Sequence, residues 1–165
     1  MMWLSIPLMF LGCTKQVPTE SSVKRDRRME GRYSVADPGP GWSKVRSGGA
    51  DKAWFHKESS ASIYFDSNCQ DRYEDGKLSA LLTHLTFGIA RGESLREEAM
   101  VLDGREALLR VQPGLLDGVP VRVGAVVTKK DDCLYDGLLI APPSTFDSQW
   151  STFAKVLAGF KTRGR

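Results

Sequence analysis

Phe146, Trp150, Phe153, Leu157 and Phe160 recur at intervals of three and four, which on a helix gathers five large apolar side chains into one stripe. Such a stripe cannot face water along its whole length, so the chain must supply an apolar surface to receive it. The segment before it does so in another rhythm. Val119, Val121, Val123, Ala125 and Val127 alternate with Arg122, Gly124 and Thr128, the period of a strand with one buried face. A helix stripe following a strand pattern commits the chain to a mixed architecture in which a sheet is covered by helices.

The remaining segments fit that plan. Arg32 to Ala36 reads as a short first strand, stopped by Asp37-Pro38-Gly39-Pro40-Gly41, a loop that delivers Trp42. Lys52 to Lys57 and Ala61 to Asp66 are rich in aromatic and β-branched residues and form a hairpin around Glu58-Ser59-Ser60. Leu78, Leu81, Leu82, Leu85 and Ile89 predict an amphipathic helix over roughly 77–90, with Asp75 as cap and Gly92 as stop. Stretches 95–102 and 105–112 flank Asp103-Gly104, which suits the positive φ angles of a tight turn; a second pair, Asp117-Gly118, leads into the alternating strand. The meander continues through Lys129 to Asp132 into Cys133 to Ile140, and Pro142-Pro143 precede a start of the last helix that resembles a capping box, Ser144 with Asp147. The expected fold class is therefore α+β, an antiparallel β-sheet flanked by helices. With 41% hydrophobic and 26% charged residues, the 165-residue chain suits a single folding unit, taken as 32–161 with a tail over 162–165.

Residues 1–12 carry no charge and are too few to span a bilayer as a helix, but match the apolar core of a secretory signal. The junction Phe10-Leu11-Gly12-Cys13 resembles the lipobox of bacterial lipoprotein precursors. The resemblance implies cleavage before Cys13, diacylation of its thiol and stable anchoring, since two acyl chains hold where one is marginal. Two departures stand beside it: Phe10 replaces the usual Leu, and no Lys or Arg precedes the apolar run, so either a basic stretch is missing upstream or export is inefficient. The alternative is an apolar segment packed on the domain. Residues 13–31 are polar and charged, as a solvated tether would be, with Lys15, Lys24, Arg25, Arg27 and Arg28 against Glu20, Asp26 and Glu30. Thr14 stands where an inner-membrane lipoprotein would carry Asp, which by that resemblance implies an outer-membrane lipoprotein facing the periplasm or the cell surface.

With Cys13 committed to lipid, Cys69 and Cys133 are left as one internal pair. In an oxidising compartment they are expected to form a disulfide, the alternative being two buried thiols in a reducing one. The succession of early strand, Pro/Gly loop with Gly41-Trp42, hairpin, Leu-rich helix, long meander turning at Asp103-Gly104-Arg105-Glu106-Ala107 and terminal aromatic helix ending in Gly159-Phe160 resembles the PsbP-like α/β/α sandwich. Some of its bacterial members, the DcrB-type proteins, are small envelope lipoproteins. The resemblance spans about 32–161 and implies a fold more than an activity.

Direct signs of chemistry are sparse. His56 falls on a strand, expected exposed, and His84 beside the Leu stripe; neither has ligand-like spacing. The serines form no Gly-x-Ser-x-Gly or Ser-x-x-Lys motif, and Gly39, Gly41, Gly48 and Gly49 form no phosphate-binding loop. Asp66, Asp71, Glu74 and Asp75 read as a solvated turn rather than a carboxylate pair, and no Cys/His cluster points to a metal. The domain's charge, near +1 of the chain's +3, is not concentrated on one face, which argues against nucleic acid. Among aromatic residues, Trp54 and Tyr64 read as core, and Trp42, in its loop, as the candidate contact with a partner. The expectation is a monomeric, non-enzymatic binding or accessory module for another envelope protein, without cofactor. The competing expectation is an envelope enzyme or small-ligand binder whose site assembles only in three dimensions.

Overall fold

The computed structural model describes residues 33–46, 49–69 and 76–163. Within them, β2 (Trp42–Lys44), β3 (Lys52–His56), β4 (Ala61–Asn68), β5 (Arg96–Leu102), β6 (Arg105–Leu116), β7 (Val119–Lys130) and β8 (Cys133–Ala141) form one antiparallel sheet in the order β2-β3-β4-β8-β7-β6-β5. Two runs of neighbours, β2-β3-β4 and β5-β6-β7-β8, meet at the β4–β8 pair, where Ser62 lies opposite Ile140 and Asn68 opposite Leu134. β1 (Tyr33–Ser34) pairs separately with β9 (Lys161–Thr162).

Strand alternation sends side chains to two faces, each with its own core. On one face Ile63, Phe65, Leu109, Val126, Tyr135 and Leu139 pack against α2 (Phe146–Ala158), through Phe146, Phe153, Val156 and Leu157. On the other, Val121, Val123, Ala125 and Val127 meet α1 (Leu78–Leu85), through Leu78, Leu81, Leu82 and Leu85, with Ile89 just beyond it. The result is an α/β/α sandwich. Gly124 is what lets α2 lie so close, since a Cβ there would sit 2.8 Å from the Trp150 ring.

Departures from the expected elements are local. α1 is shorter than 77–90: Thr86, buried, turns its hydroxyl back onto Leu82 O at 3.1 Å, and Gly88 follows at φ 87°. α2 has Thr145 at its N-cap with no side-chain cap, in place of the Ser144/Asp147 box; the Thr145 hydroxyl donates to Ser59 O, and Asp147 accepts from Arg122. Trp42 belongs not to a loop but to the edge strand β2, opposite His56. β9 carries the fold to Thr162, one residue into the stretch read as a tail. The hairpin turns fall as expected, at Asp103-Gly104 (φ 48° and 77°) and Asp117-Gly118 (φ 51° and 82°).

A polar cleft as candidate functional site

The molecule has two poles. The β5–β6 and β7–β8 turns, the cysteine pair and β1/β9 lie at one; the β6–β7 turn lies at the other, reached by the loop after α1. At the first pole Cys69 and Cys133 come together at disulfide-bonding distance, closing a separation of 64 residues. Nearby, the Asp103 carboxylate accepts from Lys130 Nζ at 2.7 Å, Lys161 Nζ at 3.1 Å, and the Thr162 N–H and hydroxyl at 3.0 and 2.9 Å. The Lys130 bond first, and those from Thr162 and Lys161 with it, hold Asp103 well below the usual carboxylate range. Tyr33, 1% exposed, is moved the other way: burial, then the negative field of Asp51, keeps its phenol protonated.

The cleft opens toward the second pole, on the α1 face, where β6 outruns its neighbour. β5 begins at Arg96, opposite Val111, so Gln112 and the residues beyond it have no β5 partner. The loop after α1 takes that place: Leu95 N–H donates to Val111 O, Arg91 N–H to Pro113 O and Leu115 N–H to Ile89 O, each at 2.8 Å. Pro113 is tolerated here because β5 has already ended. At Gly114 a Cβ would lie 2.8 Å from Ile89 O, so only glycine permits this approach.

Between the loop, α1 and the sheet lies a cleft of about 540 Å³. Its walls include Thr83 and Thr86 from the α1 side, Phe87 and Arg91 from the loop, and Arg110 and Gln112 from β6. Arg110 donates through Nε to Glu97 on β5 and through Nη1 to Thr83 Oγ1 at 3.0 Å, fastening helix to sheet. Arg91 folds onto the loop carbonyls Ala90 O and Gly88 O at 2.8 and 3.2 Å. Gln112 is 6% exposed, and its Nε2 has no hydrogen-bond partner among the described residues. Phe87, by contrast, is 86% exposed, and Leu115, Leu116 and Val119 are exposed at the same pole.

The residues singled out in the sequence are scattered around this site rather than in it. Cys69 and Cys133 are at the opposite pole. Trp42 is half-buried, packs on the α2-side core and places its ring 5.3 Å from that of His56. His56 is half-buried rather than exposed, and its Nδ1 accepts from Ser59 N–H at 3.3 Å while contacting Ser59 Oγ at 2.9 Å, closing the β3–β4 turn. His84 is exposed on α1. Trp54 is buried and Tyr64 packs against the α1-side core. Cys13 with its tether, and Asp71, Glu74 and Asp75, lie outside the described residues. The cleft residues Glu97, Arg110 and Gln112 were not anticipated. Their signal was faint: Arg110 interrupts the apolar run from Ala107 to Val111, and Gln112 ends it just before a proline.

No protein-family profile and no curated protein sequence matches this chain. Solved structures do. The solution structure of a cyanobacterial PsbP, CyanoP from Synechocystis sp. PCC 6803, superposes with a TM-score of 0.57 at 17% identity, covering 79% of this chain and 86% of that one. LpqN of Mycobacterium tuberculosis, a protein involved in cell envelope biogenesis, gives 0.56 at 9% identity, covering 78% and 82%. PA94 from Pseudomonas aeruginosa gives 0.52 at 12% identity, covering 79% and 87%. At these identities the likeness is one of fold, and the fold is PsbP-like.

Proposed function

We propose that this chain is an exported, lipid-anchored accessory module of the bacterial cell envelope that binds another envelope protein without transforming a substrate. The observation that carries the reading is the polarity of the domain. The described fold begins at β1, at the pole of the cysteine pair, where Val45 and Val101 are exposed, whereas Phe87, Leu115, Leu116 and Val119 are exposed at the opposite pole. A domain tethered through Cys13 would present that apolar end away from its membrane, and exposed apolar clusters rimmed by polar groups are the usual mark of protein contact. The cysteine pairing suits an oxidising compartment. A structural neighbour, LpqN, is itself a protein of cell envelope biogenesis.

Two experiments test the two halves. The full chain and Cys13→Ser are expressed in a Gram-negative host, membranes are fractionated, and the mature N-terminal peptide is weighed. Diacylglyceryl-modified Cys13 in the outer-membrane fraction is the expected result; an unmodified chain in the cytosol overturns the localisation. For the contact surface, a photo-crosslinking residue is placed at Phe87 or Val119 and, as control, at Lys161. One discrete adduct from the first two positions alone is expected, and equal labelling from all three overturns the polarity argument.

A further inference from the structure

We infer that the edge of the sheet at β5 takes up an extended segment of another protein as an added antiparallel strand. β5 has β6 on one side and, among the described residues, no strand on the other. Alternate residues of such a strand turn their N–H and C=O groups away from the sheet, which makes the edge a template for a further strand. The opposite edge is guarded. β2 is three residues long, with Lys44 in it and Arg46 just beyond, and short cationic edges keep other strands off. β5 has neither safeguard: it runs for seven residues without Lys, Pro or Gly, and its register on β6 is unbroken from Arg96 opposite Val111 to Leu102 opposite Arg105.

The side chains of β5 specify the occupant. Met100 and Leu102 point to the α2 face and pack with that core. Glu97, Ala99 and Val101 lie on the α1 face, opposite Arg110, Leu108 and Glu106, and all three are exposed, Val101 at 69%. Residues directly opposite one another on paired strands share a face, and apolar or opposite-charge pairs there are favourable whereas like charges are not. The fitting segment therefore carries β-branched or aromatic side chains facing Ala99 and Val101 and a basic side chain facing Glu97. A second copy of β5 does not meet that requirement. Antiparallel self-pairing that faces Arg96 with Glu98 sets Glu97 against Glu97, and pairing about Ala99, which uses the whole strand, sets Glu97 against Val101. In strand addition the main chain supplies affinity and the alternate side chains supply specificity.

The inference goes beyond the contact at the apolar pole and stands apart from it: failed cross-linking from Phe87 or Val119 leaves the test at β5 as it is. The ¹⁵N-labelled full chain is titrated with the peptide acetyl-Thr-Val-Thr-Val-Thr-Lys-Glu-amide, whose two valines and lysine face Val101, Ala99 and Glu97 when it runs antiparallel to β5. Saturable amide shifts centred on Arg96–Leu102 are expected, with slowed hydrogen exchange at alternate residues of that strand. Two further peptides carry N-methyl groups, one on its odd and one on its even residues. Only the set whose nitrogens face β5 should lose binding, by at least about tenfold, because main-chain hydrogen bonds supply the affinity. Val101→Lys, at an exposed edge position, should weaken the unmethylated peptide by a similar factor and leave the melting temperature unchanged. Shifts that never saturate or that centre away from β5, the same affinity for both N-methylated peptides, or a Val101→Lys chain that binds like the parent would each overturn it. So would a dimer of the parent chain, formed without peptide and abolished by Val101→Lys, since the edge would then belong to a second copy.

Discussion

Asp103 stands at φ 48° in the β5–β6 turn and accepts from Lys130, Lys161 and Thr162. Its turn role is legible from the Asp-Gly pair; its second role is not, because Thr162 is brought to it only by the folded chain. Since its folded-state value is depressed below the ordinary 3.8, the stability it contributes is fully present above that value and is lost as the pH falls through the range below about 4. Asp103→Asn, which keeps a side chain tolerant of positive φ, should lower the melting temperature at neutral pH and flatten the acid limb of a stability profile. Parallel acid limbs for parent and variant would show that the carboxylate is not held as described. Gln112 makes a similar case at the same scale. Its type and position at the end of an apolar run are visible in the sequence, but its burial comes from a loop that the chain folds back from Ile89.

Among elements, α2 was the most legible, because its stripe needs no knowledge of its partner. Phe153, fully buried between α2 and Phe65, should lose about 3–5 kcal/mol on truncation to Ala. Trp150→Ala should cost clearly less, since that ring is half-exposed and leans on Arg96 and Gly124; a melting series on the two variants checks the order. β2 and β9 were not legible: Trp42-Ser43-Lys44 has no buried alternation, and β9 is two residues that count as a strand only because β1 lies beside them. The cysteine link joins the end of β4 to the start of β8, across the seam where the two runs of strands meet. In the loop-entropy account it stabilises by up to about 4 kcal/mol. Alkylation and mass measurement on exported protein should find both thiols protected until reductant is added, and the reduced protein should melt lower. Free thiols at both positions would remove the oxidising-compartment argument.

At the scale of the whole molecule, the class was readable and the strand order was not. Turn residues mark where strands end, but nothing local tells β4 to pair with β8 rather than with the next strand in line. At that seam Ile63 and Phe65 match Leu139 and Gly137 under α2, a fit between residues more than seventy positions apart that no local signal expresses. The cleft follows from the same arrangement, since it exists where β6 outruns β5 and α1 has already stopped.

The β1–β9 pair also bears on how the domain could be rewired. Tyr33 lies opposite Thr162, so the ends of the folded unit are side by side, while the Asp117-Gly118 turn at the far pole is exposed and bounded by regular strands. A circular permutant that joins residue 163 to residue 33 by a short glycine-serine linker and opens at Asp117-Gly118 breaks no core contact. Such a chain should fold with the parent's spectrum, and would carry any fused anchor at the apolar pole in place of the disulfide pole. Attached to a membrane that way round, the same domain would turn its apolar end toward the bilayer, and a partner that needs that end should no longer reach it.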